Sequence, residues 1–329
     1  MKIAVWVNAV AELEPRMTTT LLAAAAAARG HEVWVIAAAD LGLDASGRVT
    51  GPGRRVSAGG LDAAGLWALA RRAPSIVIHD QVDAVLIRTN PARDRARTLA
   101  HEAALGLAEL LRDRGVAVIN DPSGLRRTGS KLYLARLSEG VRPRTALSGR
   151  PDEVRALVAA SAGPSVLKPL FGTRGEGVFK VTRDDPNLGA IVEALCATGP
   201  VLVQDYVEGA EEGDLRVILL EGRVLVAGGR EAAVRRVPAR GEFRSNVHLG
   251  GSAAPGAATP AQRATAAAIG ARLLEEGVLL AGLDLIGHRA VEVNVFSTGG
   301  LWDAGQFCGV DFMQPIIDMV ERRAPALAS

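Results

Sequence analysis

Residues 283–300 read LDLIGHRAVEVNVFSTGG, and two strand-like runs in this stretch decide the character of the fold. Leu283, Leu285 and Ile286 make the first run; Val291, Val293, Val295 and Phe296 make the second. Gly287, His288 and Arg289 between them read as a three-residue hairpin loop. Such a loop pairs Ile286 with Ala290 and sets Asp284 opposite Glu292. Because side chains alternate along a strand, Glu292 and Asn294 share a face. Three oxygen-bearing side chains then converge, and two carboxylates so close repel unless a cation lies between them.

Working outward, the tail before this hairpin carries further antiparallel signals. VLVQDYV (201–207) is one strand, and LRVILLEGRVLVAGG (215–229) holds two more around a turn at Glu221-Gly222. Residues 236–262 are rich in Gly, Ala and Pro and read as loop. The amino-terminal part instead alternates strand and helix. KIAVWV, HEVWVIAA, VDAVLIR and VAVIN are strands, while Thr18–Arg29 and Arg93–Arg114 are helices closed by Gly30 and Gly115. In the second helix Leu99, Leu107, Leu110 and Leu111 define the expected apolar side. This rhythm predicts a parallel sheet with flanking helices, with loops 8–18 and 88–94 gathered at the strands' carboxyl ends. Between the two regions lie helices through SKLYLARL, from Pro151 to about Ala162, and through LGAIVEALCATG, with strands near RTALS, SVLKPL and VFKVTR. The expected organisation is α/β followed by α+β: residues 1–120, a parallel-sheet domain; 121–199, a small central subdomain; 200–329, a mostly antiparallel subdomain.

Composition narrows the function classes. A chain of 329 residues, 48% hydrophobic and 22% charged, is that of a folded globular protein. A net charge of +2 without a basic block, and only 4% aromatics, argue against nucleic acid or an anionic membrane as the main partner. Two cysteines, Cys196 and Cys308, form neither a disulfide framework nor a zinc motif. The five histidines lack ligand spacing. The amino terminus reads as a first strand rather than a signal peptide, and LLAAAAAARG is short of a membrane span, so a cytoplasmic location is expected.

The chemistry-bearing residues are few. KPLFGTRGEGVF places Gly172, Gly175 and Gly177 between two strands, and fits neither a Walker loop nor a dinucleotide fingerprint. Lys168, next to Val166 and Leu167 in a buried-looking strand, needs an anion to justify its desolvation. Together they favour phosphate binding over an ordinary glycine hairpin. Lys131 alone reads as a solvated lysine, and 201–207 as either a surface edge or an adenine hinge. Asp214 and Arg216 share a strand face and read as an ion pair with each other or with neighbours. Arg235, Arg236, Arg244 and Asn246 lie in RRVPARGEFRSNVHLGG, where arginines are either solvated or set to stabilise a phosphoryl group. Asp284, Glu292 and Asn294 suit a hard cation: magnesium takes one or two carboxylates, whereas zinc prefers His or Cys.

The order of GSKLYLARL, VLKPLFGTRGEGVF, VLVQDYVEGAEEGDLRVILLEGRV, RRVPARGEFRSNVHLGG and GLDLIGHRAVEVNVFSTGG resembles the ATP-grasp ligases, specifically their bacterial glutathione synthetase branch. MKIAVWVN, RGHEVWVI, IRTNPARD and VINDPSGLR resemble that branch's amino-terminal domain. The resemblance implies an ATP-grasp fold behind a pre-ATP-grasp domain, ATP and Mg2+ (or Mn2+) as cofactors, and a homo-oligomer, dimer or tetramer. It implies that ATP meets Lys131, Lys168, the loop Gly172, Thr173, Arg174, Gly175, Glu176, Gly177, the hinge Gln204, Asp205, Tyr206, Val207, and, on the ribose side, Asp214. Arg216 and Arg236 would be catalytic, steadying the transferred phosphate. Asp284, Glu292 and Asn294 match metal ligands, and Arg88, Arg244, Asn246, Ser297, Gly299 and Gly300 would lie near the carboxylate and amine substrates. The implied reaction is ATP-dependent amide formation through an acyl phosphate. Two departures, FGTRGEG where that branch has D-G-x-G-G and NVFSTGG where it has N-V-T-S-P-T, lean towards ligases that add glutamate or another amino acid to a small molecule or protein terminus. A kinase on the same scaffold and a non-catalytic ATP-binding module are the rival classes; the latter would have lost metal ligands or arginines, and neither is lost.

Overall fold

The computed structural model describes residues 1–57, 61–172, 175–245 and 250–324. The amino-terminal sheet contains β1 (Lys2–Val7), β2 (Glu32–Ala37), β3 (Gly42–Leu43), β4 (Val49–Arg55), β5 (Ser75–Ile78), β6 (Ala84–Ile87) and β7 (Ala117–Ile119). Its order is β3-β4-β2-β1-β6-β7, with β5 on β4. The expected parallel sheet is therefore half of the answer. β2, β1, β6 and β7 run parallel, whereas β3, β4 and β5 add an antiparallel flap at the β2 edge. β1 and β6 are buried almost end to end, as apolar runs without alternation require.

Helices α1 (Thr18–Ala28), α2 (Ala63–Arg71) and α3 (Thr98–Asp113) pack on this sheet. The helix predicted from Arg93 starts later, because Pro91–Arg93 and Arg95–Arg97 form separate 3-10 turns broken at Asp94. Its buried face is also different: His101, Ala104, Leu105, Ala108 and Leu111 face inward, while Leu99 is 85% exposed. Of the four leucines expected on the apolar side, Leu111 is fully buried and Leu107 packs against the core, but alanines let the helix axis approach the sheet closely and turn the buried face past Leu99 and Leu110.

After α4 (Pro122–Thr128), residues Lys131–Arg136 form a 3-10 helix rather than the expected α-helix, with Ser130 Oγ accepting from the Leu132 N–H. The central unit is the sheet β10-β9-β11-β8, built from β8 (Thr145–Ser148), β9 (Ser165–Pro169), β10 (Phe179–Val181) and β11 (Val201–Asp205). It is backed by α5 (Pro151–Ala159) and α6 (Leu188–Cys196). Val154, Val158, Leu167, Val192 and Val203 give it a core of its own.

The last sheet, β17-β16-β12-β18-β19, joins β12 (Asp214–Leu220), β16 (Ala233–Val237), β17 (Ser252–Pro255), β18 (Leu280–Ile286) and β19 (Arg289–Asn294). β13 (Arg223–Val224) returns on β12 through the expected Glu221-Gly222 turn, and β14 (Val226–Ala227) pairs with β15 (Arg230–Glu231). The presumed loop at 236–262 contains β17, paired with β16 from Val234↔Pro255 to Val237↔Ser252. α7 (Pro260–Glu275), opened by a Thr259–Gln262 capping box, covers one face; α8 (Leu301–Cys308) and α9 (Met313–Arg323) follow. Unlike the central unit, this one shares its cores with the amino-terminal sheet: Trp6 and Val85 cluster with Leu215 and Leu283, and Leu22 with Ile317 and Val320.

Candidate active site

The carboxyl-terminal hairpin positions the acids by a route the sequence did not predict. Ile286 pairs with Arg289 and Leu285 with Ala290, so the turn holds two residues, Gly287-His288. A bulge at Val291 then restores Asp284 opposite Glu292, the pairing expected. The bulged Val291 leaves its carbonyl free to accept from Lys168 Nζ at 3.3 Å. Gly282, opposite Asn294, is bare for a reason: a Cβ there would lie 2.2 Å from Thr298 Oγ1, so only glycine admits the 296–300 turn.

Asp284 is 1% exposed and heavily engaged. Arg216 donates to it through Nε and Nη2, both at 2.7 Å; Arg236 Nη2 lies at 2.7 Å, and Asn294 Nδ2 donates at 3.3 Å. Register explains this, since Arg216 faces Asp284 across the β12–β18 ladder. Burial works to raise the Asp284 pKa, but the two guanidinium charges overcome it and hold the carboxyl below the usual range. Glu292 goes the other way: burial and then the Asp284 charge push it up. One acid ionised and one driven towards its neutral form, with an amide beside them, is a donor set that a divalent cation would relieve, so the residues fit the metal implied by the resemblance.

Asp214 faces Arg236 across the β12–β16 ladder. Arg236 donates to both its oxygens at 2.7 Å, and Ser245 Oγ donates to Oδ2. The two acids keep Arg236 firmly protonated: burial opposes the charge, but Asp284 and Asp214 outweigh it. Asp214 and Arg216 thus pair with neighbours rather than with each other.

Facing this cluster across a cleft of about 830 Å3, counting its open mouth, is Lys168 of the central unit, while Lys131 lines it from the 3-10 helix Lys131–Arg136, whose Tyr133 and Leu134 pack into the core shared by the two larger sheets. Lys168, 9% exposed, donates to Gln204 Oε1 at 2.9 Å, and Gln204 Nε2 donates in turn to Thr145 Oγ1 at 3.0 Å. Burial drags Lys168 down to about 8. Lys131 Nζ, also lowered by burial, donates to the Pro169 and Gly172 carbonyls at 3.0 and 2.9 Å. Apolar side chains of Val166, Val178, Val207, Ala210 and Ile286 line the same cleft, as do Gly175, Glu176, Asp205 and Tyr206. The Tyr206 ring meets Phe243 edge-on, with centroids 6.4 Å apart, and carries Lys180 Nζ 3.6 Å over its face. Asp205 turns its carboxylate outward to Arg144 at 3.1 Å, and its backbone N–H donates to the Arg144 carbonyl at 3.0 Å.

The remaining residues divide into two groups. Arg244 sits against the glycine loop, donating to the Gly175 carbonyl at 3.0 Å, and is held by Glu242, whose carboxyl it lowers to about 2. Gly177 lies in the same loop, where its added Cβ would be 3.3 Å from Pro169. Arg88, 6% exposed, reaches the other turn: Nη2 donates to the Thr298 carbonyl at 2.8 Å, Nη1 to Phe296 at 3.4 Å, and Nε to Thr19 Oγ1 at 3.3 Å. Its partners are neutral, and burial lowers it to about 10. Ser297, Gly299 and Gly300 belong to this turn, and Gly300 abuts the Arg216 side chain. Thr173, Arg174 and Asn246 lie outside the described residues. The expected meeting of loops 8–18 and 88–94 is observed: Asn8 Nδ2 donates to the Asn90 carbonyl at 3.0 Å and Asn90 N–H to Asn8 Oδ1 at 2.7 Å.

Three residues escaped the sequence reading. Arg95 Nη2 donates to the Phe171 carbonyl at 2.7 Å, tying the amino-terminal domain to the glycine loop. Ser245 fixes Asp214, and the buried Thr18 hydroxyl has no partner among the described residues; the same holds for Thr298, in the Ser297–Gly300 turn expected near the substrates. Only the Thr18-Thr19-Thr20 run opening a helix, polar where a buried face was expected, gave a signal.

Two family models match the chain, one on each side of residue 128. Residues 1–126 match the prokaryotic glutathione synthetase N-terminal domain, and 130–307 match that family's ATP-grasp domain. The glutathione synthetase of Synechococcus elongatus is 33% identical over 331 residues, covering 98% of each chain. That of Gloeobacter violaceus is 33% identical, covering 100% of this chain and 99% of its own. Among solved structures, the ATP-grasp ligase PsnB complexed with a minimal precursor superposes with a TM-score of 0.63 at 19% identity, covering 97% and 98% of the two chains. D-cycloserine synthetase DcsG gives 0.63 at 19% identity, covering 97% and 99%, and both confirm the ATP-grasp fold. No helix among the described residues is long and apolar enough to cross a membrane. Matched along nearly its whole length, the chain belongs to the prokaryotic glutathione synthetase family and is an ATP-dependent carbon–nitrogen ligase.

Proposed function

We propose that this ligase joins a peptide-like carboxylic acid to an amino acid through an acyl phosphate, with the acid and amine of glutathione synthesis as the first pair to test. The observation that carries this reading is the convergence of two charge sets on one cleft: Lys168 on the central unit with Lys131 from the preceding 3-10 helix, and Arg236, Asp284 and Glu292 on the carboxyl-terminal sheet, with Arg216 paired to Asp284. An anionic nucleophile approaching a polyanion needs that density of positive charge in a water-poor site.

The substrate carboxylate attacks the γ-phosphorus of ATP, and the bond to the β–γ bridging oxygen breaks, leaving ADP and an acyl phosphate. The amine then attacks the acyl carbon, losing a proton, and phosphate departs as the amide forms. Lys131 and Lys168 hold the nucleotide's phosphates, the 204–207 hinge receives the adenine through its backbone, and Arg236, fixed by Asp214, faces the transferred phosphoryl group. Asp284, Glu292 and Asn294 would hold a divalent cation, Mg2+ or Mn2+, which would neutralise charge on the terminal phosphates. Arg88, a buried cation among neutral partners, awaits a substrate carboxylate near the Ser297–Gly300 turn. The separate core of the central unit supports its closing as a lid that keeps water from the acyl phosphate.

The test is a screen of acid and amine pairs, including γ-glutamylcysteine with glycine, for ATP-dependent release of ADP and phosphate. Release of AMP and pyrophosphate contradicts the acyl-phosphate route. A phosphate retained on the substrate after mild acid indicates a kinase. Activity only with glutamate as the added amino acid favours the reading suggested by FGTRGEG and NVFSTGG.

A further inference from the structure

We propose that Arg216 is the counterion that the metal must displace, so that the cation and the nucleotide load the site together. The inference rests on the reading of Asp284, Glu292 and Asn294 as the cation site.

A carboxylate offers about four lone-pair positions. On Asp284 they meet Arg216 Nε and Nη2, Arg236 Nη2, and Asn294 Nδ2, at 2.7, 2.7, 2.7 and 3.3 Å. With 1% exposure, the carboxylate has no spare oxygen face turned to solvent. A cation entering beside it must therefore take an oxygen from a donor already there.

The two arginines are not equally free to leave. Arg236 keeps a complete second partner, since Asp214 accepts from its Nε and Nη2 at 2.7 Å and is itself fixed by Ser245. Arg216 has Asp284 as its one acidic partner among the described residues. Gly300, at φ +106, lies against the stem of Arg216, where a Cβ would stand 3.4 Å from Cδ, so the turn touches the arginine's apolar stem and leaves Asp284 as the group that holds its guanidinium. Releasing Arg216 removes one positive charge from Asp284 as the cation arrives, and delivers that charge to the cleft where the phosphates arrive. Without a phosphate to receive it, Arg216 returns to Asp284 and competes with the metal. Metal alone then binds poorly, and metal with nucleotide binds well, because each ligand removes the other's cost.

The experiment measures Mn2+ binding to the full chain without nucleotide, by the paramagnetic signal of free Mn2+, in wild type, Arg216→Lys and Arg236→Lys. Lysine keeps the charge and loses the two-pronged grip, so electrostatic repulsion is held constant. The expected result is roughly fivefold to tenfold tighter Mn2+ binding in Arg216→Lys, the scale of one net hydrogen bond, and little change in Arg236→Lys. Equal or weaker binding in Arg216→Lys overturns the proposal, as does equal tightening in both variants. Arg216→Gln, which removes the competitor altogether, should tighten binding further; failure to do so also counts against it. A parallel titration with a non-hydrolysable ATP analogue separates the two layers of the argument. If no variant binds Mn2+ beyond what the analogue itself chelates, the cation site is misplaced and the displacement falls with it.

Discussion

Lys168 carries opposite consequences for stability and function. Burial lowers it from 10.5 to about 8, so below pH 8 the folded chain bears the full cost of a desolvated ammonium. Between about pH 8 and 10.5 the unfolded lysine keeps its proton while the folded one loses it, and stability rises with pH through that window. Lys168→Met should therefore raise the melting temperature of the ligand-free protein at pH 7, by roughly a few degrees, and abolish the stabilisation given by an ATP analogue. A lower melting temperature would mean that its bonds to Gln204 and Val291 outweigh its burial. The two acids differ in kind. Glu292→Gln should leave the fold intact and nearly abolish turnover. Asp284→Asn should do the same to turnover and also cost about 3 kcal/mol in denaturant unfolding, because it strips Arg216 and Arg236 of a buried counterion. Equal stability of the two variants would contradict that distinction.

Among elements, the hairpin shows what pattern alone can and cannot reveal. Alternation put Asp284, Glu292 and Asn294 together, and the pairing of the two acids is observed. The turn length was misread because a bulge at Val291 adds the residue that the loop was thought to contain. A bulge leaves no mark in hydrophobic alternation, since Val291 and Val293 look alike. Likewise, Arg93–Arg114 read as one helix because its leucines repeat, but close packing through Ala104 and Ala108 turned the buried face so that it keeps Leu111 and leaves Leu99 outside. Ion-pair partners were the least legible feature: they depend on register between strands distant in sequence, such as Arg216 with Asp284. The same applies to Asn120. Its side chain donates to the Leu280 and Val295 carbonyls at 2.8 and 2.7 Å and accepts from Leu279 and Leu280 N–H at 2.8 and 2.9 Å. Asn120→Ala should cost about 2–3 kcal/mol in denaturant unfolding, with KM for ATP little changed in the surviving protein. A stability within 0.5 kcal/mol of wild type, roughly the effect of an ordinary surface change, would refute that bracing role.

Across the whole molecule, the distribution of cores matters more than the order of segments. The amino-terminal and carboxyl-terminal sheets share buried clusters, whereas the central unit has its own and meets the rest through polar latches such as Arg95 on Phe171 and Arg244 on Gly175. One body carrying the acids, the arginines and Lys131, and a second carrying Lys168 and the glycine loop, can close on a nucleotide between them. Arg95→Ala should speed hydrogen exchange at 170–172 and 175–177 and raise KM for ATP, with exchange in β1 and β18 unchanged; uniform acceleration would point to general destabilisation instead. The central claim is the acyl phosphate, and it has a direct chemical signature. With the substrate carboxylate labelled with oxygen-18, turnover should place one labelled oxygen in each phosphate released. Label that stays out of phosphate, or appears in AMP, would contradict the mechanism.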